Sequence, residues 1–149
     1  MNEAFSDPAV LGAFETNMDY MPYIHSILRG NTDNTISGFL NVSVLGGNTA
    51  NTEFEFLTGN TMAFLPQGSV PYQQYLKREM PSLASHLRSL GYETVAAHPY
   101  NSTGWDRNKV YPLLGFDEMY FIKDYKNPEK IRKYVSDRAC YDKIIELYE

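Results

Sequence analysis

A hydroxyl, a carboxylate, an imidazole, an indole and a guanidinium stand out in this 149-residue chain as groups able to handle a phosphoester. Thr49 lies in LGGNTANTEFEF, where Gly46 and Gly47 permit backbone conformations closed to other residues and Asn48, Thr49, Asn51 and Thr52 can cap a helix start. The free amides of such a start favour negative charge. A phosphate or sulfate group beside the Thr49 hydroxyl would be held by the same backbone that aims the nucleophile. A threonine at a helix start is also an ordinary cap, so the turn alone leaves both readings open.

His98, Trp105 and Arg107 follow as H-x6-W-x-R. An arginine offers a planar fork of donors to phosphate oxygens, a histidine can donate to the same group, and a tryptophan can wall off a small polyol such as glycerol. Each has a plainer reading: a histidine bonded to backbone at a strand end, an indole packed on a loop, a solvated charge. Glu3 would place a carboxylate at the exit of a first strand, where it suits a hard divalent cation; a frayed terminal carboxylate is the alternative.

These stretches, with NEAFSD at 2–7 and HPYNSTGWDRNKVYPLLGFDE at 98–118, resemble the lipoteichoic acid synthase and phosphoglycerol transferase family of the alkaline phosphatase and sulfatase superfamily. The likeness runs over nearly the whole chain. It implies that Thr49 attacks the phosphorus of a phosphatidylglycerol head group, keeps a covalent glycerophosphate, and passes it to a glycolipid or teichoic-acid-type acceptor. His98, Trp105 and Arg107 would then hold the glycerophosphate. Glu3 and Thr49, with a later Asp-His pair, would bind manganese. Some members carry an acidic residue where this chain has Tyr100, which bears on substrate or acceptor preference.

The resemblance also implies the N-terminal half of an extracellular catalytic domain, held at the outer face of the cell membrane by segments upstream of this chain. MNEAFSD reads as the exit of a strand and IIELYE as an unfinished helix, so a truncated chain is expected. With two oxygen ligands, one of them a neutral hydroxyl, it would bind metal weakly or not at all and be inactive by itself. Other enzymes of the superfamily remain open, a sulfatase or a phosphoethanolamine transferase. Sulfatases normally use C/S-x-P-x-R, and TANTE has neither that proline nor that arginine. A module that binds a polyol phosphate without turning it over is the reading from a different class.

Composition narrows the rest. With 43% hydrophobic and 21% charged residues, a single domain over 1–149 with one core is expected. A net charge of −5 and 13 unclustered basic residues argue against nucleic-acid binding. Cys140 is the single cysteine, so no internal disulfide or C-x-x-C site can form. No apolar run approaches the roughly 18 to 20 residues of a bilayer span, and a soluble chain is expected.

The elements that must position these groups alternate. Helices are expected over Met21–Leu28, Thr49–Leu57, Pro81–Leu90 and Asn108–Leu114, with a short one in Val70–Tyr75 and one or two over Pro128–Glu149. In Pro81–Leu90, Leu83, Leu87 and Leu90 share a face and Gly91 marks the stop. Strands are expected over Thr35–Val44, Tyr92–Ala97 and Met119–Ile122. The pattern predicts an α/β fold, a mostly parallel sheet flanked by helices, as an incomplete alkaline-phosphatase-like domain. Its ligands would gather beyond the carboxyl ends of the strands, where Thr49 and His98 fall. Glu53 could orient the turn through hydrogen bonds, but with Glu55 it reads first as a solvated helix face; Asp7 reads as a cap with Pro8 behind it, Ser6 competing for the role, and His25 and His86 as structural.

Overall fold

The computed structural model describes residues 7–30, 32–38 and 40–149, which group into two compact units, Met1–Val42 and Ser43–Glu149. Glu3 lies outside the described residues, as does most of the NEAFSD stretch.

In the first unit, Asp7 accepts from the Ala9 amide at 2.8 Å and caps a 3-10 turn, Pro8–Leu11, with proline at its first position. The expected cap therefore forms, because proline has no N–H to leave unpaired there. Helix α1, Pro22–Leu28, likewise opens on proline, and Gly30 follows in the left-handed region. His25 on α1 meets Asp19 through Nδ1 at 2.6 Å and Asp7 through Nε2 at 3.1 Å, while the Tyr20 hydroxyl donates to Asp7. This agrees with a structural role for His25. The strand expected over 35–44 does not form in the described residues, and Ile36 and Leu40 are exposed. Alternation can favour a strand but cannot create one. The ladder needs a neighbour, and no described strand pairs with this stretch.

The second unit holds helix α2 (Thr49–Thr58), α3 (Pro71–Gln74), α4 (Leu83–Ser89), strand β1 (Val95–Ala97), α5 (Arg107–Leu113), strand β2 (Glu118–Tyr120), strands β3 (Lys130–Ile131) and β4 (Tyr134–Val135), and α6 (Asp137–Tyr148). Strands β1 and β2 pair in parallel, Val95 opposite Glu118 and Ala97 opposite Tyr120, so the α/β class with parallel pairing stands. Their entry is fastened by Thr94, whose hydroxyl donates to Asp117 at 2.7 Å and whose amide reaches the same carboxylate oxygen at 3.0 Å. These bonds hold the Asp117 carboxyl below its ordinary pKa.

The core joins Ala50 and Phe54 of α2, Val70, Tyr72 and Leu76 around α3, Val110, Tyr111 and Leu114 around α5, and Phe121 after β2. Each such apolar side chain removed from water contributes about 1.5–3 kcal/mol. Helix α4 departs from its expected face: Leu83 and Leu90 are exposed and Ala84 is the buried residue. The reason is close docking. Ser82 caps α4 and also donates to the Leu114 carbonyl at the end of α5, and Gly115 lies against Ser85, leaving room for a methyl rather than an isobutyl group.

The expected helical tail is likewise corrected. Residues 130–135 form an antiparallel hairpin, Lys130 opposite Val135 and Ile131 opposite Tyr134, turning through Arg132 at φ +58°. The helix begins only after Ser136, whose hydroxyl accepts from the Ala139 amide at 3.1 Å and donates to Glu129 at 2.6 Å. No helix among the described residues is long and apolar enough to cross a membrane.

Candidate functional site

The site is built on the start of α2. Gly46, Gly47 and Asn48 all take left-handed backbone conformations, with φ of +63°, +77° and +57°. Glycine adopts this region without penalty and asparagine tolerates it, so these residue types make the bend available. Thr49 is the first helical residue, half-buried; it follows an irregular bend, not the expected strand.

The first half of α2 is unusual in burying its polar residues. Asn51, Thr52 and Glu53 are buried with Ala50 and Phe54. Buried polar groups need partners. Asn51 donates through Nδ2 to the Ser69 carbonyl at 2.9 Å. Glu53, four residues after Thr49 and so on the same helix face, receives Nε of Arg107 at 3.1 Å and Nη2 at 2.5 Å on separate carboxylate oxygens. The Tyr111 hydroxyl donates to Oε2 at 3.2 Å. The solvated face expected for Glu53 is thus overturned: the residue is 9% exposed and Arg107 2% exposed. Glu55 also has an internal role, accepting from the amides of Ser43 at 2.8 Å and Met62 at 2.6 Å.

Arg107 opens α5, and the two residues before it are strained. Trp105 and Asp106 both hold left-handed conformations, φ +56° and +55°, in a 3-10 turn over Gly104–Asp106. Neither is glycine, and such backbone costs about 1–3 kcal/mol per residue, tolerated where surrounding packing enforces it. Here the enforcing contacts are Trp105 packed against the core, and Arg107 locked on Glu53 with Nη1 reaching the Gly104 carbonyl at 3.3 Å. Burial opposes the charge on Arg107, but the Glu53 bonds outweigh it and hold the guanidinium above its ordinary pKa.

His98 falls immediately beyond β1, as expected, and its amide extends the ladder to the Tyr120 carbonyl at 2.8 Å. Burial, then the Arg107 charge, push its imidazole down to about 4, against a smaller opposing pull from Glu53. The ring is therefore neutral near pH 7. It lies edge-on to Tyr100, with ring centres 6.4 Å apart. Tyr72, whose buried hydroxyl has no hydrogen-bond partner among the described residues, is driven well above the usual phenol range, by burial first and the Glu53 carboxylate second.

Of the residues singled out in the sequence, then, Arg107 is brought to the helix that Thr49 begins, His98 feels the charge of both Arg107 and Glu53, and Trp105 braces the turn before Arg107. Sequence reasoning set an orienting role for Glu53 below a solvated one and passed over Tyr111 and Tyr72. The four-residue spacings Thr49–Glu53 and Arg107–Tyr111 were the available signal, since each sets two polar side chains on one helix face. Among the described residues no group of three His, Cys, Asp or Glu side chains could hold a metal ion. Thr49, the described member of the expected ligand set, brings one neutral oxygen, which does not by itself fit a divalent cation.

Comparison with known proteins gives a context for this geometry. The sulfatase family profile matches residues 1–148. A Rhizobium meliloti (strain 1021) protein described as a cyclic beta-1,2-glucan modification protein is 39% identical over 145 residues, 97% of this chain and 21% of that protein. The chain therefore spans about a fifth of the length of the curated relatives it matches, 21% and 20%. The crystal structure of the lipoteichoic acid synthase LtaP from Listeria monocytogenes is similar at 26% identity and TM-score 0.64, over 72% of this chain and 26% of that one. The Streptococcus pyogenes phosphoglycerol transferase GacH, in complex with sn-glycerol-1-phosphate, is similar at 27% identity and TM-score 0.64, over 81% of this chain and 33% of that one.

Proposed function

The chain belongs to the sulfatase family, and from that premise we propose that it forms part of the catalytic domain of a phosphoglycerol transferase acting at the cell envelope. The observation that carries the proposal is Thr49 at the head of α2, entered through a left-handed bend and one helical turn before Glu53, which holds a buried arginine. Likeness to LtaP and GacH, the latter solved with sn-glycerol-1-phosphate, supports a glycerophosphoryl group as cargo. The name of the R. meliloti relative supports a glycan hydroxyl, such as that of a β-glucan, as acceptor.

In this proposal the Thr49 hydroxyl oxygen attacks the phosphorus of phosphatidylglycerol. A new P–O bond forms to Thr49, the P–O bond to diacylglycerol breaks, the threonine proton is lost and the departing oxygen gains one. An acceptor hydroxyl then attacks the same phosphorus and loses its proton, the P–O bond to Thr49 breaks, and the threonine oxygen regains a proton. His98, uncharged, can donate one ring N–H to a phosphoryl oxygen without repelling Arg107. Trp105 would cover the glycerol carbons, and Arg107 would face the phosphoryl charge. Manganese is proposed for the whole protein, with Glu3 and Thr49 among its ligands; it would supply charge neutralisation at the phosphoryl oxygens.

The test uses the full-length protein with labelled phosphatidylglycerol. Thr49→Ala should abolish diacylglycerol release and the glycerophosphoryl mass increase on the peptide containing residue 49. Release at the same rate in the variant would remove the transferase reading. Release of sulfate from an aryl sulfate, without diacylglycerol release, would favour the sulfatase alternative.

A further inference from the structure

Glu53 presents a puzzle that stability does not solve. A buried ion pair is generally no more stabilising than well-packed apolar residues of similar volume, because both charges lose their hydration. The pair nonetheless stands at the centre of the second unit, with Arg107 2% exposed and its carboxylate partner on α2. Its geometry is more specific than charge cancellation requires. Glu53 takes the Nε–Nη2 edge of the guanidinium, Tyr111 bonds Oε2, and the Gly104 carbonyl takes one N–H of Nη1. Among the described residues three of the five N–H groups are thereby engaged.

We propose that Glu53 is a positioning residue, which through its paired bonds to Arg107 fixes the orientation of the guanidinium and ties the strained Trp105–Asp106 turn to the helix that begins with Thr49. This rests on the reading of Thr49 as nucleophile. Because Thr49 and Glu53 share one rigid helix, a single element carries both the attacking oxygen and the clamp on the anion-holding arginine. Tyr111 is the strut that keeps the carboxylate from turning. Without Glu53 the guanidinium keeps, of these bonds, only the one to the Gly104 carbonyl, and the two left-handed residues lose their tie to α2.

The test compares wild type, Glu53→Gln, Tyr111→Phe and Thr49→Ala in the full-length protein, with transfer rates divided by the folded fraction of each sample. Glu53→Gln should lower kcat for glycerophosphoryl transfer by about 10- to 100-fold with KM changed far less, the scale of a misplaced catalytic contact. Tyr111→Phe, which keeps the ion pair, should give a smaller loss in the same parameter. Wild-type kcat per folded molecule in both variants overturns the positioning role, and if Glu53→Gln does not fold, an unchanged kcat in Tyr111→Phe overturns it alone. Transfer that depends on Thr49 but ignores Glu53 sinks this inference and leaves the nucleophile in place. Transfer that persists in Thr49→Ala overturns both.

Discussion

His98 and Arg107 are linked by charge across the gap between β1 and α5: burial first, and the guanidinium second, keep the imidazole neutral down to about pH 4. A neutral ring next to a permanent cation can donate a hydrogen bond without adding a second positive charge.

That relationship fixes the sign of a pH effect on stability. Above the ordinary histidine value of 6.5, His98 is neutral both folded and unfolded and adds no slope. Below it the unfolded chain takes up a proton that the folded chain refuses until about pH 4, so stability falls as pH falls between those values. The loss should reach up to about 3 kcal/mol. Urea unfolding at a series of pH values, for wild type and His98→Asn, checks it: identical slopes in the two proteins would refute the assignment.

The Glu53–Arg107 pair predicts a marked non-additivity. Glu53→Ala or Arg107→Ala alone leaves a buried charge without its partner and should cost about 3–5 kcal/mol. Replacing both, Glu53→Leu with Arg107→Met, should cost less than either single change. A double-mutant cycle by denaturant unfolding measures this, and simply additive losses would show that the two side chains do not interact.

Tyr72 predicts a gain. Its hydroxyl is buried, 1% exposed for the residue, and lacks a hydrogen-bond partner among the described residues. Tyr72→Phe should therefore raise stability by about 1 kcal/mol, seen as a higher Tm, since a buried unmade hydrogen bond costs on that order. A lowered Tm would mean that the hydroxyl is bonded.

Gly115 should tolerate no side chain. It holds φ +89°, and an added Cβ would stand 2.8 Å from Ser85 Cα and Cβ, atoms of α4 that cannot rotate away. Gly115→Ala should cost about 2 kcal/mol or more from overpacking and backbone strain together. Gly91→Ala, also at positive φ but with nothing within 4 Å of the added carbon, separates the two terms; equal losses in both would leave no role for the Ser85 contact.

Local signals in the sequence proved legible where they act within one turn. Asp7 before Pro8, the run Gly46–Gly47–Asn48, and the start of α2 at Thr49 behave as their residue types require. The placement of His98 just after β1 was equally readable, because Gly91 stops the preceding helix and a short apolar run, Val95–Ala97, ends at His98 before Pro99. The strand expected over 35–44 and the helix expected over 128–135 were not, since alternation and composition do not name a partner for a ladder. Leucine spacing also misled at α4, where the docking of Gly115 on Ser85 selects the small residue for the interior.

The motifs around Thr49 and His98–Arg107 were enough by themselves to indicate the family. What only the tertiary structure decided is the environment of those residues. Glu53 and Arg107 are 54 positions apart, and a glutamate in a helix reads as a surface charge until folding brings a cation to it. Desolvation and charge pairing act through space and not along the chain. For that reason the neutral state of His98 and the buried fork on Glu53 appear only once the core has closed around them.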